Sequence, residues 1–290
     1  MTEKYCYRDK MKRGEIAGKV LIYIILTLVA IVILFPLFWA ISSSLRPDEE
    51  IFKYVTPFSA KAIFPQNPTI QAYKNLFTVR KFYIPIKNTI IVAVINIVLG
   101  CIVNAFAGFA FAKFDFKFKK PLFVLVMLSF MVPFESIAIP LYSLINKLNW
   151  VDTYYALLAP AIANGLAIFL FKQFFEDIPD SIIESATIDG AGWMTIFFNI
   201  VLPLSVPVTI TACLMIFMGQ WESFMWPLIA ARSTNLKMIQ VALTDFQMEH
   251  TTLWSELFAA SIVTAIIPIL FLLPFQKFYV QGVTDAGVKE

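Results

Sequence analysis

Six apolar runs constrain this chain more than any other feature. They cover residues 20–42, 88–112, 122–145, 154–174, 204–230 and 257–275. A bilayer hydrocarbon core about 30 Å thick needs roughly 20 apolar residues in a helix that rises about 1.5 Å per residue. Each run is continuous and too long for the short alternating strands of a membrane barrel, so each predicts a helix. With 59% of its residues hydrophobic, the chain lacks the polar surface of a soluble globule. The expectation is an all-α membrane protein with six transmembrane helices.

Charge orients the bundle. Lys4, Arg8, Lys10, Lys12, Arg13 and Lys19 precede the first run, and Lys113, Lys117, Lys119 and Lys120 follow the second. Such clusters stay on the cytosolic side, which predicts a cytosolic N-terminal tail over 1–19, a six-span bundle over 20–275, and a cytosolic C-terminal tail over 276–290. Trp39, Trp150, Trp226 and Trp254 fall near the outer boundaries, as an interfacial aromatic belt would. The net charge of +3 is accounted for by these orienting residues and implies no nucleic-acid partner. Cys6, Cys101 and Cys213 fall in the tail and in two spans, so no disulfide framework is expected.

Between the first two runs lies an outside segment with Pro47, Pro57, Pro65 and Pro68, whose end, Q-N-P-T-I-Q-A-Y-K-N-L-F, suits a short surface helix. In the second run Gly100, Asn104, Gly108 and Ala112 recur every fourth residue. They form a face of small and polar groups that another helix can approach closely. The other reading of that face is a solute path lined by Asn96 and Asn104. Pro133 and Pro140 predict a kink in the third run, with Glu135 between them.

Helix count puts loop 175–203 on the cytosolic side. Its P-D-S-I-I-E start predicts Asp180 or Ser181 as the cap, with Ser181 and Glu184 forming a capping box. Gly190 should end that helix, a second should begin near Trp193, and Pro203 should stop it. A polar helical hairpin of this length between two spans points to the docking of another protein.

Chemistry of other kinds is poorly represented. His250 is the only histidine, and no metal-ligand cluster, nucleophile-base pair or glycine-rich cofactor turn occurs. The nearest approach to a phosphate loop, Gly14 to Lys19, has the wrong glycine spacing, and Val20 stands where a Ser or Thr is needed. The chain therefore reads as a non-enzyme without a cofactor of its own. Glu135, Glu222 and Glu256 lie in or near apolar runs, where a carboxylate is costly and so a functional candidate.

The loop resembles the signature of the inner-membrane subunits of binding-protein-dependent ABC importers, E-A-A-x-x-x-G followed by I-x-L-P. The matching residues are Glu184, Ala186, Gly190, Ile200, Leu202 and Pro203, with Ser185 as the one departure. Further pieces are similar to the carbohydrate-uptake branch of that family: S-L-R-P-D-E, F-A-G-F-A-F-A-K-F, I-P-L-Y, F-K-Q-F-F-E-D-I-P and Q-K-F-Y-V-Q-G. Trp221-Glu222 departs from the Trp-Asn common there.

The resemblance implies a multi-pass permease subunit in a bacterial-type inner membrane, carrying a sugar or oligosaccharide. Implied partners are a paralogous permease forming a heterodimer, two ATPase subunits that hold ATP and Mg, and an extracytoplasmic solute-binding protein. It also implies ATPase contact by the coupling residues Glu184, Ser185, Ala186, Asp189, Gly190, Ile200, Leu202 and Pro203, with the tail after Gly282 contributing. Candidate solute-path residues are Trp221, Glu222, Asn104 and Glu135. The rival is an ion-coupled secondary carrier with Glu135 or Glu222 as its proton site. Such a carrier typically shows internal repeats and has no use for the hairpin.

Overall fold

The computed structural model describes residues 2–57, 59–247 and 252–275, with side chains from residue 18 onward. Among the described residues the chain is helical and without strands. In chain order come α1 (Thr2–Ser44), α2 (Asp48–Ile51), α3 (Gln71–Thr78), α4 (Tyr83–Lys113), α5 (Lys119–Met131), α6 (Phe134–Lys147), α7 (Tyr154–Ile162) and α8 (Gly165–Glu176). They are followed by α9 (Asp180–Ile188), α10 (Trp193–Ile196), α11 (Leu202–Leu204), α12 (Val206–Trp221), α13 (Met225–Ala230), α14 (Ile239–Leu243) and α15 (Trp254–Leu272).

The chain divides into two compact units. The first takes residues 1–79 and 248–262, the second 80–247 and 263–290. In the first unit, α1 presents Val20, Leu28 and Val32 as an exposed apolar surface, as a helix bathed in lipid does. Beyond it the chain ties itself down with polar contacts. Arg46, 1% exposed, donates from Nη2 to Ser42 Oγ at 2.9 Å, and Ser44 Oγ lies 2.8 Å from the Tyr73 hydroxyl on α3. Burial pushes the Arg46 guanidinium below its ordinary value, and the Glu50 carboxylate opposes that shift. Asp48 accepts from the backbone N–H of Ser255, and Asn75 on α3 donates to Glu256 at 3.0 Å. Glu256 is thus a buried, hydrogen-bonded carboxylate at the start of α15.

The second unit is organised by α4. Its small-residue face does what a close-approach face should. A Cβ built on Gly108 would stand 2.6 Å from Phe171 Cβ and 2.9 Å from the backbone nitrogen of Lys172, so α8 packs backbone to backbone against α4 there. Gly165 is equally tight, since a Cβ would meet the Val126 carbonyl of α5 at 2.7 Å.

Among the described residues, four helical stretches are long and apolar enough to cross a membrane, and counting each of two bent pairs as one span brings the number to six. The structure corrects the expected runs in detail. The third is α5 plus α6, bent by 100° at Val132 and Pro133, far beyond a kink, whereas Pro140 sits inside α6 without breaking it. The fourth is interrupted at Ala163 and Asn164, between α7 and α8. The fifth does not run to Ala230: α12 ends at Trp221, and 193–204 joins it at 81°.

Each break leaves backbone groups to be satisfied, which is expensive away from water. At the α7–α8 break, Asn104 of α4 does both jobs. Its Nδ2 donates to the Ile162 carbonyl at 2.9 Å, and its Oδ1 accepts from the Asn164 N–H at 2.9 Å. Asn164 in turn caps α8 by accepting from Ala167 N at 3.0 Å. Pro160 has no N–H for the carbonyl of Ala156 four residues back, and the Trp226 indole N–H takes that carbonyl at 2.9 Å. Trp226, expected in an outer aromatic belt, is therefore a core residue, 6% exposed.

Cys101 and Cys213 are free thiols whose sulfurs lie 3.3 Å apart between α4 and α12.

Candidate functional site

The loop between the fourth and fifth runs folds as an elbow: α9, a tight reversal, then α10. The start of α9 differs from the expected capping box. Pro179 occupies the cap with no side-chain hydrogen bond, which puts Asp180 and Ser181 inside the first turn. The fixed φ of proline serves the entry, and the carboxylate of Asp180 complements the positive helix end. Glu184 therefore caps nothing. Ser185 and Thr187 turn their hydroxyls back to the carbonyls of Ser181 and Ile183, at 2.7 and 2.8 Å.

Gly190 closes α9 at φ +86°, where a side chain is strained. Its N–H donates to Thr187 O at 3.0 Å, and Ala191 N–H donates to Ala186 O at 2.9 Å, the paired bonds of a Schellman ending. A Cβ on Gly190 would meet nothing within 4 Å, so its glycine faces open space rather than a neighbour in this chain.

The return helix begins at Trp193 as the sequence suggests, but Pro203 does not stop it. Residues Phe197–Val201 form a wider π turn that lets the helix pass Pro203, and the break comes at Ser205.

A packed aromatic core holds the elbow to α4 and α8. Phe106 stacks on Phe197 with ring centroids 4.4 Å apart, Phe109 lies 5.3 Å from Phe197, and Phe114 lies 4.4 Å from Trp193. Phe171, Phe175, Ile183 and Val201 complete this core. Ion pairing adds a strut: Lys113 Nζ donates to Asp180 Oδ1 at 2.7 Å and to the Ile178 carbonyl at 2.6 Å.

This packing sorts the motif residues into two groups. Ala186 and Leu202 lean on the core, with Ile200 half-buried in the π turn. Glu184, Ser185, Asp189, Gly190 and Pro203 are exposed. Sequence reasoning missed Ile188, which is 86% exposed at the tip of α9.

The candidate solute-path residues part company. Asn104 is fully buried and engaged at both ends of its amide, as described above. Trp221 is 2% exposed, stacks on Phe217 at 5.6 Å, and donates its N–H to the Thr264 carbonyl at 3.2 Å. That carbonyl is the one Pro268 leaves without a helical donor. Glu222 and Glu135 are exposed, Glu222 at the end of α12 and Glu135 in the first turn of α6 just past the 100° bend. His250 and the tail from Gln276 lie outside the described residues. Among the described residues no His, Cys, Asp and Glu group is arranged to hold a metal.

Comparisons with known proteins agree with the motif. Residues 97–284 match the model of the family described as binding-protein-dependent transport system inner membrane component. The permease protein of an arabinooligosaccharide transport system from Halalkalibacterium halodurans is 30% identical over 90% of this chain and 93% of its own length. The permease protein of the sn-glycerol-3-phosphate transport system of Salmonella typhimurium is 31% identical over 88% of this chain and 92% of its own. The trehalose/maltose transport permease of Thermococcus litoralis is 29% identical over 96% and 99%.

In fold, the chain is similar to a chain of a bacterial ABC transporter involved in the import of the acidic polysaccharide alginate. The TM-score is 0.79 at 20% identity, covering 92% of this chain and 98% of that one. These relatives are permease subunits rather than enzymes, and nothing among them supports the ion-coupled carrier. An elbow with an open glycine end, carried by an all-helical multi-span bundle, thus sits in a chain that belongs to the binding-protein-dependent transport system inner membrane components, the permease subunits of ABC importers.

Proposed function

We propose that this chain forms half of the translocation pathway of an ATP-driven importer for a sugar or oligosaccharide, and that α9 is its coupling helix. Two of the three relatives above are named for oligosaccharide or disaccharide transport, which supports that solute class. Both termini and the elbow face the cytosol. A paralogous permease supplies the other half of the path, two ATPase subunits hold ATP and Mg below the elbow, and an extracytoplasmic binding protein delivers the solute. Glu222 and Glu135, the exposed carboxylates at helix breaks, are the better candidates for solute contact. Trp221 and Asn104 serve the backbone instead, Trp221 at the carbonyl that Pro268 frees in α15 and Asn104 at the α7–α8 break.

One observation carries this reading: the exposed face of Glu184, Ser185, Ile188 and Gly190 on a helix of 9 residues, held rigidly from behind by the aromatic core. A helix about 13 Å long in that setting converts closure of a bound motor into movement of the spans. ATP and the loaded binding protein would favour an outward-open state, and hydrolysis would reset it.

Gly190→Trp tests it. Sugar uptake by the assembled importer should be abolished while membrane insertion and expression stay near wild type. Uptake that persists with normal ATP coupling contradicts the reading.

A further inference from the structure

Lys113 and Phe114 are adjacent residues at the end of α4, yet they grip opposite ends of the elbow. Lys113 Nζ reaches the entry, 2.6 Å from the Ile178 carbonyl and 2.7 Å from Asp180 Oδ1. Phe114 reaches the exit, 4.4 Å between centroids from Trp193. α9 lies between these two points, with its free face turned away.

The electrostatics of the entry contact favour a stiff link. Lys113 stands in the last turn of α4 and Asp180 in the first turn of α9, so each charge complements the dipole of its own helix while bonding the other. The lysine side chain is 7% exposed and the aspartate 76%. A shielded ammonium with two acceptors, one a fixed backbone carbonyl, has little freedom to swing.

The exit contact is backed by Phe109, 5.5 Å from Phe114 and 6.2 Å from Trp193. Upstream, α4 carries Gly108 against α8 and Asn104 in the α7–α8 break.

From this arrangement, and resting on the reading of α9 as the coupling helix, we propose that α4 is the element that receives the elbow's motion, through a two-point clamp made by Lys113 and Phe114. Lys113 is a positioning residue. It does not touch the ATPase or the solute. It makes the entry of α9 and the end of α4 move as one body, and through α4 the displacement reaches the break that Asn104 secures.

The test uses the assembled importer in nanodiscs, with the three native cysteines replaced and spin labels on Ser185→Cys in α9 and Asp115→Cys just past α4. Pulsed electron-electron distances are measured without nucleotide and with a non-hydrolysable ATP analogue and Mg. With Lys113 present, the distribution should be narrow and the same in both states. Lys113→Met should broaden and shift it when nucleotide binds, and Lys113→Arg should restore it. Asp180→Asn, at an exposed side chain that does not threaten folding, should give the same change to a lesser extent. A Lys113→Met complex that assembles and keeps the narrow, nucleotide-independent distance overturns the clamp. Failure of the coupling-helix reading itself looks different: the mobility of the label at position 185 would then be the same with and without the ATPase subunits.

Discussion

The indole N–H of Trp226 donates to the carbonyl of Ala156, the one that Pro160 leaves without a helical partner, at 2.9 Å. Trp221 does the same for Thr264, ahead of Pro268, at 3.2 Å. In both cases the carbonyl that a proline frees is answered by an indole from another helix of the same unit.

Trp226→Phe should destabilise the permease by about 1–3 kcal/mol, because a buried carbonyl then has no donor. Adding Pro160→Ala supplies the missing N–H and should recover part of that loss. Thermal unfolding of the four variants of this cycle in detergent gives the coupling energy directly.

Asn104→Ala removes the donor to Ile162 and the acceptor for Asn164 together. The expected loss is at least about 2 kcal/mol, since two backbone groups are stranded in an apolar setting. Hydrogen exchange of the amides around 163–167 should rise more than that of α12.

Gly108→Val forces α8 away from α4, because even the first added carbon meets Phe171 Cβ at 2.6 Å. A destabilisation of about 2–3 kcal/mol is expected from such overpacking. Gly190→Ala, by contrast, meets no atom in the chain and should cost only the left-handed strain of about 1–2 kcal/mol. Parallel unfolding curves for the two variants separate a packing glycine from a conformational one.

The sequence read well where a physical rule is local and strong. Apolar length found the membrane-crossing elements, small residues every fourth position found the α4 face, and Gly190 marked the end of α9. The capping box failed because Pro179 takes the cap position, two residues earlier than the Ser181 hydroxyl suggested. Helix continuity failed at Asn164 and Ser205 because a broken span is tolerated only where a distant side chain or a widened turn rescues it. Asn104 is sixty residues from Asn164 along the chain, so periodicity within one run could not reveal that bond. Trp226 was misplaced for the same reason: its partner, Ala156, is 70 residues away. Of the elbow's own residues, Ile188 escaped notice because α9 carries three isoleucines, Ile182, Ile183 and Ile188, and their spacing does not say which of them the core covers. Only the structure gives its 86% exposure.

Ile188 also offers the most direct test of the central claim, that α9 docks on the ATPase subunit. A photo-crosslinking amino acid placed at this exposed position in the fully assembled importer, irradiated and resolved by mass spectrometry, should yield an adduct with the ATPase chain. Adducts only with lipid, with the binding protein, or with none of the subunits of an assembled complex would contradict it.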